Sequence, residues 1–492
     1  MPVMRVLLAR PPRRDSRDVG LSVPPLGLAY VASALRDAGH AVELIDACVL
    51  GWSWRDFEAA VRRRRPDVLG LSTMTPVADI AARAARIARP HVGRIVLGGP
   101  HPTAVRHAVF DQVPELDAAV AGEGEDTAVE LLSWWERGSA GPPPPGVLVP
   151  GRPLVPRVPR TPVQSLPWPA RDLLPNDRYR YLFATRPGLA TVITSRGCPF
   201  RCSFCDKSVS GSRWRARPPG DVVDELVHIE RDLGLSFVNF YDDNFTLSRR
   251  RVVGICEEML RRGLRLEWKC EGRVDGVDAE LLALMRRAGC RMVAYGVESG
   301  NAETLALLRK DITVEQTRRA FAETRAAGLR SLAYIILGAP GEDATDVRRT
   351  IEFCREIGAS YVQFSTLSAM PGTPLFAAHA NRVGAGVPNP VDGDLARPTL
   401  TDLPAAELQH LLRQAWVGFY LRPRPLARLA RDAWRSGSVG EAIRLGRALG
   451  RWAMAGPDPT AAAARGAPKR RGRDRARPSP RPRPGGTPGH AA

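Results

Sequence analysis

Two series of short apolar runs, each alternating with amphipathic stretches, occupy most of the chain. The first lies between Met4 and Trp135. Its runs are MRVLLAR, AVELIDA, VLGLST, RIVLGG and AAVAGEGE, rich in Val, Ile, Leu and Ala as in strands buried on both faces. Between them, LGLAYVASALRDAGH, WRDFEAAVRRRR and VADIAARAARIAR repeat apolar residues at helical spacing, and PTAVRHAVFDQV does so more weakly. Gly39 follows the last periodic residue of its helix, a common stop. Five strands alternating with helices predict a parallel, doubly wound, Rossmann-like sheet over residues 1–137.

Residues 138–168 are too rich in proline for a helix or a central strand, and a linker is expected over 138–185. A second alternating series follows, with runs ATVITSRG, FVNFYDD, RLEWKCEGR, MVAYGVES, SLAYIILGAP and YVQFSTL. Six βα units predict a partial (β/α)6 barrel over 186–380, with chemistry at the C-terminal strand ends. Cys198, Asp242, Asp243, Glu271, Arg273, Glu298 and Glu342 fall there. Residues 381–456 read as a helical region and 457–492 as a disordered basic tail.

Composition excludes little and charge needs discounting. The 492 residues are 44% hydrophobic and 25% charged, ordinary for a globular protein. No run approaches the roughly 20 apolar residues of a membrane span, and the N-terminus lacks a secretory pattern, so a cytoplasmic protein is expected. The formal net charge is +19, but ARGAPKRRGRDRARPSPRPRPGG holds nine Lys or Arg against one Asp, a net of eight. A solvated tail is expected there, and a nucleic-acid partner is not.

Cys198, Cys202 and Cys205 change the picture. Their C-x3-C-x2-C spacing directly follows the first barrel strand. Zinc sites close with four ligands, and no nearby His or second Cys pair supplies the fourth. Three thiolates on a four-iron cluster leave one iron open to a ligand. The stretch TSRGCPFRCSFC, with Phe204 before the last cysteine, resembles the signature of the radical S-adenosylmethionine (SAM) superfamily. The resemblance implies a [4Fe-4S] cluster on the three cysteines that cleaves SAM reductively, with an electron donor such as flavodoxin or ferredoxin. It further implies SAM contacts from Phe204, Asp242 and Asp243 of FYDDNF, Arg273, Glu298 of YGVESGN on the ribose, and Gly338 and Gly341 of ILGAPGED near the adenine. Strand-end carboxylates also cap helices, and glycines also merely turn the chain. Cys256, Cys270, Cys290 and Cys354 lack ligand spacing and read as buried thiols.

The first sheet has no GxGxxG and no Walker loop, so a dinucleotide or nucleoside-triphosphate site is unsupported. PPLGL, STMT, GGPHPT and GEGE occupy its strand ends, a set that resembles the cobalamin-binding domain joined to many radical SAM enzymes. That resemblance implies cobalamin contacts from Ser72, Thr73, Met74, Gly98, Gly99, Gly122 and Glu123. The loop ARPPRRDSRDVGLSVPPLG has no histidine where some cobalamin domains carry a cobalt ligand, so no protein histidine is expected on the cobalt. His101 is expected in the tail slot or at a helix entry. The combined resemblance, over roughly residues 4–380, is to the branch holding the anaerobic magnesium-protoporphyrin monomethyl ester cyclase and related methylases. It implies methyl transfer to an unactivated carbon of a small molecule. A radical oxidative cyclase and an RNA-associated iron–sulfur protein are the alternatives, and the catalytic residues acting on substrate are not assigned.

Overall fold

The computed structural model describes residues 3–12, 23–160, 162–383 and 400–454. The histidine-free first loop (in large part), the 457–492 tail and part of the 381–456 region lie outside these residues.

The first series forms a six-stranded sheet. Strands β1 (Arg5–Arg10), β2 (Ala41–Asp46), β3 (Val68–Ser72), β4 (Arg94–Gly98) and β5 (Ala118–Val120) are parallel, in the order β2-β1-β3-β4-β5. The chain passes from β1 out to β2 and then crosses back to β3 on the other side of β1, so the strand order reverses between β1 and β3, the switch point at which doubly wound sheets bind ligands. A sixth strand, β6 (Val147–Leu148), pairs antiparallel with β5. It comes from the proline-rich stretch, and two residues at a sheet edge are all that such a sequence allows. The weakly periodic PTAVRHAVFDQV is two short helices, Pro100–Val105 and Ala108–Gln112, separated at Arg106, whose φ is +53°.

The second series gives the expected open barrel. Strand β7 (Leu189–Val192) is followed by a small hairpin of β8 (Ser195–Arg196) and β9 (Arg215–Ala216). Then come β10 (Phe237–Phe240), β11 (Glu267–Gly272), β12 (Cys290–Glu298), β13 (Arg330–Leu337) and β14 (Tyr361–Thr366), all parallel and in sequential order from β7 to β14. Alternation sorts each strand: Trp268 and Cys270 join the core under the helices, while Lys269 and Glu271 take the opposite side. Helix Ala405–Tyr420 covers the open edge. The Tyr420 hydroxyl donates to the Val362 carbonyl and accepts from its N–H, which blunts the exposed ladder of β14.

The proline-rich connection is docked rather than free. Tyr179 and Tyr181 are buried in one apolar cluster with Leu8 and Leu28 of the first unit and Phe237 and Tyr361 of the barrel. The Ala170 N–H donates to the Ala29 carbonyl at 3.0 Å and the Tyr179 hydroxyl to Asp46 at 2.8 Å. Among the described residues no helix is long and apolar enough to cross a membrane.

Candidate active site between the two sheets

The cysteine loop is held from below by two adjacent carboxylates. Asp242, buried at the end of β10, accepts from the Thr194 N–H at 2.6 Å and from the Thr194 and Ser195 hydroxyls at 2.5 and 2.6 Å. Asp243 accepts from the Gly197 N–H at 3.0 Å, and burial raises its pKa. Both side chains therefore face the cysteine loop itself. Gly197 has φ +82°, and a Cβ there would lie 2.3 Å from the Arg213 carbonyl oxygen, so only glycine fits. Lys207 then closes the loop by donating to the Cys198 and Phe200 carbonyls.

The three cysteines carry free thiols, Cys202 buried and the other two half-buried. Burial raises the pKa of Cys202 while Lys310 and Arg273 oppose it. Burial, with the nearby Cys202, Asp243 and Cys198, pushes Cys205 up to about 12. Among the described residues no three His, Cys, Asp or Glu side chains converge on a single-ion site. A four-iron cluster instead takes one thiolate per iron and spreads its ligands over its corners.

Beside the loop, Glu298 ends β12 with a φ of +65° and only 5% exposure. A non-glycine residue in that region costs roughly 1–3 kcal/mol and persists where the surroundings force it. Its carboxylate accepts from Lys310 at 2.7 Å, and a Cβ at Gly296 would lie 2.5 Å from both the Glu298 oxygen and the Lys310 nitrogen. Lys310 also lies 5.9 Å from the Phe204 ring centroid. Arg273 grips both oxygens of Asp275 at 2.9 Å and the Lys310 and Asp311 carbonyls at 2.8 and 3.1 Å. Its plane covers the Phe200 ring at 3.7 Å. Cys202, Phe204, Arg273 and Glu298 are thus gathered around Lys310, a residue that sequence reasoning did not single out. Gly338 and Gly341 form a separate turn, both at positive φ. Buried Glu342 accepts the Gly338 and Ala339 N–H groups at 2.9 and 2.8 Å. A Cβ at Gly338 would meet Leu408 at 2.7 Å, whereas Gly341 has open space.

On the first sheet, Ser72, Thr73, Gly98, Gly99 and Gly122 come together at the C-terminal ends of β3, β4 and β5. The Thr73 N–H donates to the Gly98 carbonyl at 3.1 Å. A Cβ at Gly99, whose φ is +97°, would sit 2.8 Å from the Thr73 carbonyl oxygen. Thr103 joins the last member by donating to the Gly99 carbonyl and accepting from the Gly122 N–H. Met74 is exposed beside them. His101 is buried, with Nδ1 3.2 Å from the Thr75 hydroxyl and Nε2 2.6 Å from Gln112. Both ring nitrogens are engaged, and burial lowers its pKa.

Glu123 faces the barrel instead. It binds Arg215 through both oxygens and lies 3.3 Å from Arg196. Glu125 accepts from Arg196 at 2.5 Å, and Arg196 covers the Tyr30 ring at 5.2 Å. All four charged side chains are less than a tenth exposed. Burial works against the charge of Arg196, but Glu125 and Glu123 outweigh it and raise the pKa. Arg196 and Arg215 flank the cysteine loop on β8 and β9, so the strand ends of the two sheets face each other. Gly372 adds a second contact, since a Cβ there would lie 2.6 Å from Asp206 and 3.1 Å from Ala104.

The family model of the B12 binding domain matches residues 16–132 and that of the radical SAM superfamily matches residues 192–354. The chain is 33% identical over 456 residues to an uncharacterized methyltransferase, PH0819, of Pyrococcus horikoshii, across 87% of this chain and 94% of that one. It is 28% identical to the anaerobic magnesium-protoporphyrin IX monomethyl ester cyclase of Rubrivivax gelatinosus, across 77% of this chain and 71% of the relative. Its fold is similar to the structure of the radical SAM methyltransferase TsrM from Kitasatospora setae with cobalamin and a [4Fe-4S] cluster bound. That likeness has a TM-score of 0.64 at 21% identity and covers 77% of this chain and 75% of that chain.

Proposed function

The chain belongs to the cobalamin-binding radical SAM enzymes, and from that premise we propose that it is a methyltransferase acting on an unactivated carbon of a small molecule in the cytoplasm. Residues 1–137 hold cobalamin, 138–185 connect, 186–380 hold the cluster and SAM, and the described helices after residue 400 cap the barrel. The observation that supports this reading is the short bridge from Gly122 through Glu123 and Arg196 to Cys198, which sets the two strand-end sites against each other.

The residues fit the groups. Cys198, Cys202 and Cys205 would ligate the cluster, Glu298 would accept from the SAM ribose, and Ser72, Thr73, Gly98, Gly99 and Gly122 would line the cobalamin tail slot. When bound, these groups supply reductive cleavage of SAM and delivery of a methyl group. Asp242 and Asp243 fix the loop that presents the thiols, Lys310 holds Glu298 in place, and Met74 borders the cleft. The electron comes from an acidic carrier of the flavodoxin or ferredoxin type.

The likeness to the cyclase supports a second reading, radical oxidative ring formation. Reduced, fully loaded enzyme with methyl-labelled SAM separates the two. A methyltransferase yields S-adenosylhomocysteine, up to one per cobalt without substrate, whereas a cyclase yields 5′-deoxyadenosine with no S-adenosylhomocysteine. Absence of both products would refute either reading.

A further inference from the structure

The far end of the barrel carries a surface that none of this chemistry uses. A cavity of about 530 Å³ opens there, lined by Arg286, Arg291, Arg330, Arg431 and Arg435. Its two carboxylates are already engaged: Asp432 pairs with Arg330 and Glu267 with Arg291 at 2.8 Å. Among the described residues neither Arg286 nor Arg435 has a carboxylate partner, so the cavity keeps unneutralised guanidinium groups facing solvent.

Two of those arginines belong to helix Pro423–Arg435. Arg424, Arg428, Arg431 and Arg435 repeat at steps of four, three and four, which places them in one stripe along it. Pro425, Asp432 and Ala433 are its buried side. The remaining side bears Pro423, Leu426, Ala427, Ala430 and Trp434, all exposed, with Leu426 44% and Trp434 79% open to solvent. Leu421 just before the helix and Val439 just after it are exposed as well. An apolar stripe running parallel to an arginine stripe, with a tryptophan at its end, is the composition of a helix that lies in a membrane interface.

We infer that this helix and the arginine cavity beside it form a docking surface for an anionic lipid bilayer. Leu426 and Trp434 enter the acyl boundary, Arg424 and Arg431 meet headgroup phosphates, and the cavity takes one headgroup between Arg286 and Arg435. The chain's own Arg-rich tail and a second copy of this chain both bring positive charge to an already positive stripe, which disfavours them as occupants. An acidic electron carrier has suitable charge but the wrong location. Arg291 and Arg330 stand at the starts of β12 and β13, and the cysteine loop lies past the other ends, about 25 Å away at roughly 3.3 Å per residue of β13.

The test is co-flotation of the full-length chain with phosphatidylcholine vesicles containing or lacking phosphatidylglycerol. The wild type floats with the anionic vesicles. L426S/W434S, altered only at exposed side chains, partitions at least about tenfold less from the loss of apolar contact. R286S/R435S, which keeps Arg424 and Arg431, shows a reduced preference for phosphatidylglycerol while keeping its melting temperature; a preference equal to wild type would remove the cavity from the docking surface. Flotation of L426S/W434S equal to wild type would show that the tail does the binding and overturn the inference. So would a failure of the wild type to float, or capture of flavodoxin by this face in its stead.

Discussion

Glu123→Gln tests how the two halves of the site are joined. The carboxylate binds Arg215 through both oxygens and lies near Arg196 in a seam less than a tenth exposed. Gln keeps the shape and one acceptor but removes the charge, leaving two guanidinium groups with Glu125 alone. A buried pair broken on one side costs about 3–5 kcal/mol, and the retained amide acceptor puts the effect near 3 kcal/mol. At roughly 2–4 °C per kcal/mol for units of this size, the first melting transition should fall by about 6–12 °C. Proteolysis in the 138–168 connection should accelerate. Scanning calorimetry of the cofactor-free chain reads the first effect. E123Q/R215M, which replaces a buried pair by neutral groups, should recover much of the loss. An E123Q melting point within about 2 °C of wild type together with lowered cobalamin uptake would refute the seam and restore Glu123 to the corrin slot.

Three further outcomes follow from individual contacts. Gly197→Ala places a methyl 2.3 Å from the Arg213 carbonyl, so the reconstituted variant should hold far less iron than wild type, while Gly341→Ala, where the methyl meets nothing and only the positive φ costs stability, should hold a full complement. Glu298→Gln should weaken SAM binding about 10–100-fold, the worth of one charged hydrogen bond of roughly 1.5–3 kcal/mol, with iron content unchanged in the same dialysis experiment. His101 has a folded pKa below its ordinary value because it is buried neutral. The unfolded chain therefore binds the extra proton first, and stability is lost as pH falls below about 6.5 toward the folded value. Urea melts of His101→Gln should show a smaller acid-side slope than wild type.

What was legible in the sequence was what repeats locally. The apolar runs of both sheets stand out because buried parallel strands are nearly continuous in Val, Ile and Leu, and the cysteine spacing is a contiguous motif. The sixth strand was not legible, since Val147 and Leu148 pair only because β5 offers a free edge. Contacts distant in sequence were hidden too. Glu123 reads as a strand-end residue of the first sheet until Arg215, 92 positions later, is brought against it. Arg273 resembles a free fork, yet Asp275, two residues on, occupies it. Asp242 and Asp243 stand out in FYDDNF as strand-end carboxylates, but the sequence does not show that their partners are in the loop that carries the cysteines. Lys310, in LLRKDIT, carries no motif at all and acquires its meaning only from Glu298.

Metal content after anaerobic reconstitution with iron, sulfide and hydroxocobalamin, with the optical spectrum recorded on the same sample, reads both cofactor sites at once. About four irons and one cobalt per chain are expected, with a base-off spectrum because His101 has both nitrogens engaged. Cys198→Ala/Cys202→Ala/Cys205→Ala should lose the iron and keep the cobalt. A full iron complement in that triple variant, or no cobalt in the wild type, would show that the chain is not a two-cofactor enzyme with its cluster on these cysteines.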